Sequence, residues 1–344
     1  MKELLLLVRS ALENRPLEGP VFEQLCQWTT ADWDRILRQA QVQSVIGLVY
    51  QAVSLLPPDG NVPEEVVFTL VAEGEALAAR SRTQDAVAKF CLEEMRQHGL
   101  HPLVMKGSET ARFYPEPLLR GYGDIDLIIP AKEANLVVSW ARDAGYAVQL
   151  EADGSSHFEY AGIEVDVHTR YYDLIAPTAQ MPDPFSPEGT LLMLSCHALK
   201  HAIGAGIGLR QVCDIRVALR ALDGHYDPET YLKACRNLGI LRWAKLLCRF
   251  LDVYLGLPDK LFPGNRVSPE PLMDLIRKGG NFGHYSPYRE ASLQQQSSFQ
   301  RKLDTALRHV RRLPFSFRYA PRMALERIWE LVCGNLRLGM GRPS

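Results

Sequence analysis

Two aspartates flank a single isoleucine in an apolar segment of the chain, Gly123 to Ile129 (Gly-Asp-Ile-Asp-Leu-Ile-Ile). Alternate side chains of a β-strand point to the same face, so Asp124 and Asp126 are expected to project together. Two carboxylates on one face of an apolar strand cost free energy unless a cation lies between them. Mg²⁺ is a suitable cation because it prefers oxygen ligands. The pair predicts a metal site, the alternative being a solvent-exposed edge-strand pair.

A third carboxylate, Asp166, is expected on a later hairpin strand, where it shares one face with Glu164 and His168. The two valines between these residues take the opposite face. If this strand lies beside the first, Asp166 completes a cluster that can hold one or two metals and activate a hydroxyl. The alternative for Asp166 is a surface position. His168 could be a metal neighbour, a base or a hydrogen-bonding residue that holds the sheet, and Glu164 is expected to be solvated.

A glycine-serine turn upstream offers a place for phosphate. Lys106-Gly107-Ser108 links a short apolar segment, predicted to be a strand, to a predicted helix over Glu109–Tyr114. Gly107 lets the backbone approach a ligand, Ser108 is expected to cap the helix, and free N–H groups at a helix start suit an anion. Lys106 and Arg120 could contact phosphate or could neutralise the acidic cluster.

The elements that must position these residues follow from the apolar periodicity. Spacings of three and four predict helices near the start of the chain, including separate helices over Val66–Leu77 and Thr83–His98. Short strands follow, two of them separated by Ala161-Gly162 at hairpin distance. From Glu188 the pattern is helical again. The sequence therefore predicts an α+β fold, a small mixed sheet between helical regions, with three parts: 1–98 helical, 99–175 the α+β core, and 176–344 a helical domain with a basic tail.

Together these motifs resemble a known superfamily. Five segments carry the resemblance: Leu103–Ser108, Tyr114-Pro115, Arg120, Gly123–Ile128 and Val165–His168. They resemble the polymerase-beta-like nucleotidyltransferases, and more closely the bacterial branch of uncharacterised nucleotidyltransferases. The resemblance covers roughly residues 83–220. It implies that Gly107 and Ser108 bind the β- and γ-phosphates of a nucleoside triphosphate. In this chain Glu109 follows the turn where small residues are usual, so its carboxylate must turn outward.

The resemblance also implies roles for the carboxylates and an activity. Asp124 and Asp126 would hold Mg²⁺ or Mn²⁺, and Asp166 would be the third carboxylate, as metal ligand or base. The expected reaction moves a nucleoside monophosphate, AMP from ATP being the preferred case, onto an acceptor hydroxyl with release of pyrophosphate. The acceptor is left open between a small molecule, a protein and RNA. The alternative is a catalytically silent nucleotide-binding or scaffold protein that kept the fold.

A second group of polar residues lies farther along the chain. In the resembling family a histidine-rich helix precedes an aspartate-containing helix, so His201, Arg210 and Asp214, with His168, could line a second wall of the cleft. Plain packing between helices is the alternative for the three later residues. His197 and His201 also share a helix face, but the glutamate of an HExxH zinc motif is missing.

The charge balance excludes a chain-wide attraction for nucleic acid or anionic lipid, since 39 basic and 40 acidic residues leave a formal charge of −1. Residues 301–344 nevertheless hold ten basic and three acidic side chains. A solvated helical face is the favoured interpretation of this tail. The alternative is an interaction module for a polyanion such as RNA or a membrane surface, supported by the interleaved aromatics of Phe315–Tyr319.

The cysteines and the apolar runs bear on localisation. Seven cysteines without CxxC spacing are typical of buried thiols in a reducing compartment. The apolar run at residues 4–8 is too short for a signal-peptide core, and no run approaches the ~18 residues of a membrane span. The sequence thus predicts a cytoplasmic protein without a transmembrane segment.

Overall fold

The computed structural model describes residues 1–151, 154–172, 181–204, 206–280, 312–325 and 328. The chain divides into two compact units, Met1–Tyr171 and Tyr172–Ser344. Helices precede and follow a small mixed sheet of five strands, so the predicted α+β class is confirmed.

Helices fill the part of the first unit that precedes the sheet: α1 (Lys2–Glu13), α2 (Gly19–Leu25), α3 (Thr30–Val42), α4 (Ile46–Ser54) and α5 (Glu64–Gln97). Helix α5 is continuous over 34 residues, so the two segments predicted to be helical here are parts of one helix. The segment between them, residues 78–82, is Ala-Ala-Arg-Ser-Arg and contains neither proline nor glycine, so nothing in it ends a helix.

Polar side chains of α5 hold the segment that leads into the second strand. Ser81 Oγ donates to the carbonyl of Leu118 at 3.0 Å, and Gln84 Nε2 donates to the carbonyl of Gly123 at 3.0 Å. Both side chains are buried. These bonds satisfy two buried side-chain donors and hold the approach of the chain to the site described below.

The sheet contains β1 (Leu103–Val104), β2 (Ile125–Ile128), β3 (Gln149–Leu150), β4 (Ser156–Tyr160) and β5 (Ile163–His168). Its order is β1-β2-β5-β4-β3. Strands β2 and β5 are parallel, and the other neighbouring pairs are antiparallel. The hairpin predicted around Ala161-Gly162 is confirmed, since β4 and β5 pair across it.

One face of the sheet is apolar and packs on helices. Alternate residues of β2 and β5 are fully or almost fully buried in one core cluster with Met95 of α5 and Trp140 of α7 (Ala134–Asp143): Ile125, Leu127, Val165 and Val167. Because strand side chains alternate, burial of this face directs the residues between them to the opposite face. The polar residues of both strands therefore share that opposite face.

The second unit is helical in its described parts: α8 (Pro187–Ile203), α9 (Leu209–Ala221), α10 (Pro228–Asn237), α11 (Leu241–Leu255) and α12 (Glu270–Gly279), followed by helical residues at 312–319 and 321–325. Gly204 ends α8 and Gly208 precedes α9, and residue 205 between them lies outside the described residues. In neither unit do the described helices include one long and apolar enough to cross a membrane.

The described part of the basic tail packs within this second unit. The Arg312 guanidinium donates to the carbonyl of Gly204. The Phe315 ring lies 6.2 Å from the Trp243 ring and 4.7 Å from the Tyr319 ring, and Tyr319 is buried. Two aromatics of the interleaved segment thus belong to the local packing. Residues 301–311, 326–327 and 329–344 lie outside the described residues.

Candidate active site

The polar face of the sheet brings two of the three predicted carboxylates together. In the parallel pair β2·β5, Asp126 is the direct partner of Asp166. The predicted carboxylate cluster depends on the Asp166 strand lying beside the Asp126 strand, and the two strands are neighbours. Asp126 is buried and Asp166 is half-buried.

Asp124 reaches the same region from a different backbone position. It lies in the bend before β2, which begins at Ile125, so the prediction of a strand from Gly123 is wrong at this end. The carbonyl of Gly123 is bound by Gln84 of α5 rather than by a neighbouring strand. The rule that alternate strand residues share a face therefore does not apply to Asp124.

The three carboxylates are nevertheless electrostatically coupled. Burial, followed by the charges of Asp126 and Asp124, raises the pKa of Asp166 from 3.8 to about 6. Desolvation and like charge both disfavour the ionised form. Such a perturbed carboxylate beside two others is a frequent property of catalytic and metal sites.

Asp126 is held by two donors. Its Oδ1 atom lies 3.0 Å from Nζ of Lys106 and 2.9 Å from Nε2 of His168, and both of these side chains are also buried. Lys106 therefore compensates the acidic cluster in this structure, which was one of its two predicted roles. Three roles were predicted for His168 as alternatives. The structure shows the hydrogen-bonding role, because Nε2 of His168 contacts Asp126 and orients its carboxylate.

The turn after Lys106 has a backbone conformation that favours glycine. Gly107 has φ +69° and ψ −112°, and Arg120 Nη1 donates to its carbonyl at 3.4 Å. The following helix, α6, spans only Ser108–Ala111. The predicted helix over Glu109–Tyr114 is thus too long, in part because Pro115 disfavours helical geometry at the preceding residue.

Two expectations about this turn have different outcomes. Gly107 is the N-cap of α6 and Ser108 is its first helical residue, so the prediction that Ser108 caps the helix is wrong. Glu109 is exposed and pairs with Arg112 at 3.2 Å. Its carboxylate therefore turns outward, as the resemblance required.

Two overlapping groups of side chains on this face could hold a metal ion. Asp126, Asp166 and His168 form one group, and Asp166 with His157 and Glu164 forms another; within each group the ligand atoms lie within 4.8 Å of one another. Carboxylate oxygens and imidazole nitrogens are ordinary ligands of divalent ions. These donor atoms therefore fit a divalent cation. Glu164 is exposed, as predicted.

His157 is the residue that the sequence analysis missed. It is the cross-strand partner of Asp166 in the hairpin. A two-residue loop at Ala161-Gly162 pairs Tyr160 with Ile163, and counting back along both strands pairs residue 157 with residue 166. The hairpin register alone could have identified it.

The predicted second-wall residues other than His168 lie in the unit Tyr172–Ser344. His201 and His197 form a 3.1 Å contact between their Nε2 atoms on α8. Arg210 is half-buried and Asp214 is buried on α9. Among the described residues, neither histidine belongs to a group of three or more candidate metal ligands. Their role as a second wall stays a prediction.

Arg216 of α9 was also not among the residues predicted from the sequence. Its side chain is completely buried, and Nε donates to the carbonyl of Leu255 at 3.2 Å. A buried guanidinium that binds a helix C-terminal carbonyl stabilises helix packing. No sequence signal separated this arginine from its solvated neighbours.

Comparison with known protein families gives a match. A family model described as "Uncharacterised nucleotidyltransferase" matches residues 29–256, which is more than half of the chain. The matched range contains the glycine turn, both carboxylate strands and helices α8 and α9. No curated protein and no solved structure gives a match.

Proposed function

The chain belongs to the uncharacterised nucleotidyltransferase family, and we propose that it moves a nucleoside monophosphate from a nucleoside triphosphate to an acceptor hydroxyl. The acceptor oxygen would bond to the α-phosphorus, the bond from that phosphorus to the bridging oxygen would break, and pyrophosphate would leave with the bonding electrons. ATP, donating AMP, is the preferred substrate. The observation that carries the proposal is the register of β2 and β5, which pairs Asp126 with Asp166.

The carboxylates are proposed to bind a divalent ion, Mg²⁺ or Mn²⁺, through Asp124, Asp126 and Asp166. Such an ion, when bound, would neutralise triphosphate charge and favour ionisation of the acceptor hydroxyl. Asp166 would serve as a ligand or as the base that accepts the hydroxyl proton on a carboxylate oxygen. Its pKa, raised to about 6 by burial and the neighbouring carboxylates, supports the second role because a general base works best when its pKa is near the operating pH.

The turn at Gly107 is proposed to bind the triphosphate. Positive φ at Gly107 supports this role, since a residue without Cβ lets phosphate oxygens approach the backbone. Ser108 would add its hydroxyl and amide. Lys106 and Arg120, buried beside the turn, would add positive charge. The outward position of Glu109 removes the nearest repulsive charge.

The acceptor is proposed to be selected outside the carboxylate cluster, and His201, Arg210 and Asp214 remain candidates for that second wall. A cytoplasmic location is part of the proposal, because the described cysteines are free thiols and most of them are buried. Contact of the basic tail with a polyanion remains the alternative to a solvated helical face.

A labelled-nucleotide assay tests the function. The full chain is incubated with each α-labelled triphosphate and Mg²⁺ or Mn²⁺, with cell extract as the source of acceptors. Label on one species would identify both base and acceptor. We expect Asp124→Asn to reduce transfer by about a hundredfold or more, since it removes a proposed ligand.

Asp143→Asn is the matched control, because it makes the same substitution at an exposed residue of α7. It should transfer label at the wild-type rate. Full metal-dependent turnover by Asp124→Asn would exclude the proposed mechanism. Nucleotide binding without transfer to any acceptor would instead favour the silent-scaffold alternative.

A further inference from the structure

We propose that a second cation site lies beside the first and is formed by His157, Glu164 and Asp166. It would take a first-row transition ion such as Mn²⁺ rather than Mg²⁺. The inference deepens the proposed function and rests on it only through the shared residue Asp166.

The β4–β5 hairpin brings the three ligands together. His157 is the cross-strand partner of Asp166, and paired residues of neighbouring strands present their side chains on the same face. Glu164 lies two residues before Asp166 on β5 and so shares that face. The ligand atoms of the three residues lie within 4.8 Å of one another, close enough to contact one ion.

Asp166 is the central residue of a row that crosses three strands. It pairs with Asp126 on β2 and with His157 on β4. It therefore belongs to both candidate ligand groups. A carboxylate has two oxygens and several lone pairs, so one aspartate can serve two ions. Adjacent ions that share ligands are common in phosphoryl-transfer sites.

The acidic side chains around Asp166 agree with this geometry. The charges of Asp126, Asp124 and Glu164 all act unfavourably on the ionised Asp166 side chain. Lys106 and His168 both contact Oδ1 of Asp126, on the β2 side of the row. An ion on the β4 side would relieve the repulsion where Glu164 and His157 lie.

The ligand chemistry identifies the class of ion. Mg²⁺ prefers oxygen ligands and keeps several waters, whereas an imidazole with two carboxylates suits Mn²⁺, Fe²⁺ or Zn²⁺. Glu164 is exposed and His157 half-buried, so an ion reaches the site from solvent. The carboxylate of Glu151 lies 3.8 Å from Nδ1 of His157 and can help to orient the ring.

Mn²⁺ titration of the full chain, without nucleotide, tests the site. Free Mn²⁺ is followed by electron paramagnetic resonance, and heats are measured by calorimetry. We expect two ions on the wild-type chain. Glu164→Gln and His157→Gln should each weaken one of them by about tenfold or more. Asp124→Asn should weaken the other ion and retain this one.

Glu159→Gln is the control for long-range charge. Glu159 is the exposed cross-strand partner of Glu164 and carries the same charge, but it does not belong to the ligand group. It should bind Mn²⁺ as the wild type does. An equal loss in Glu159→Gln, or wild-type binding by both Glu164→Gln and His157→Gln, would overturn the proposal.

A spectroscopic measurement reports ligation directly. Mn²⁺ bound to Asp124→Asn should show ¹⁴N coupling from an imidazole, and that coupling should vanish when His157→Gln is added. Persistence of the coupling would overturn the assignment of His157. Because no nucleotide is present, these binding results do not depend on nucleotide transfer. If the wild-type chain binds two ions but transfers no label, only the proposed function is refuted. If the wild-type chain transfers label but Glu164→Gln and His157→Gln bind Mn²⁺ as it does, only this site is refuted.

Discussion

Replacement of Asp166 by asparagine, its neutral isostere, should stabilise the protein and remove its transfer activity. Burial and the charges of Asp126 and Asp124 raise the pKa of Asp166 from 3.8 to about 6. At 1.36 kcal/mol per pH unit, this difference corresponds to about 3 kcal/mol of unfavourable free energy in the ionised folded state. Because Asp166 is only half-buried, solvent screens part of this cost. We therefore expect Asp166→Asn to raise the free energy of unfolding by about 1.5 kcal/mol at pH 8.

The stability advantage of Asp166→Asn over the wild type should increase with pH. Below pH 3.8 the carboxyl of Asp166 is protonated in both states, so Asp166→Asn should have little effect. Between pH 3.8 and about 6 the unfolded state releases the proton first, and the free energy of unfolding of the wild type falls as the pH rises. Above about pH 6 both states are ionised and the stability advantage of Asp166→Asn reaches its full, constant value.

Urea unfolding of the metal-free protein between pH 4 and pH 8 measures this advantage. Asp59→Asn, an exposed loop substitution, is the control and should change stability by less than about 0.5 kcal/mol. In saturating Mn²⁺ the advantage of Asp166→Asn should shrink or reverse, because the wild type gains more from ion binding. An advantage that is absent at pH 8, or equally large at pH 4, would refute the reasoning.

Two further substitutions test the neighbours of this residue. Lys106→Met should lower the stability of the metal-free protein by about 3 kcal/mol, because it leaves buried Asp126 without its ammonium partner; denaturation in a chelator measures this, and an unchanged midpoint would contradict it. Gly107→Ala should cost about 2 kcal/mol, because φ +69° with ψ −112° strains any residue that has a Cβ. Calorimetric unfolding checks the strain, and a melting temperature equal to the wild type would show that the turn adapts.

Local sequence patterns were sufficient to predict much of the carboxylate cluster. Alternation of valines with polar residues on β5 predicted both the apolar face and the polar one, since strand periodicity depends only on neighbouring residues. The Ala161-Gly162 turn predicted the hairpin for the same reason. That turn also determines that residue 157 faces Asp166, so His157 was predictable from the sequence as well.

Contacts between distant segments decided the remainder. Asp124 lies outside β2 although local alternation favoured a strand there, and a side chain of α5 binds the carbonyl before it. The contact of Lys106 with Asp126 also depended on tertiary structure, because the sequence left open whether Lys106 would meet phosphate or the acidic cluster.

The amino-acid sequence by itself determined the α+β class, the polar face of β5 and the glycine turn, since each depends on residues a few positions apart. Only the tertiary structure decided which strands are neighbours, and with that the pairing of Asp126 with Asp166. Parallel pairing joins segments about forty residues apart, and no short-range pattern encodes the burial that selects one partner among several. The raised pKa of Asp166 has the same origin, because desolvation and like charge arise only when the distant strands meet.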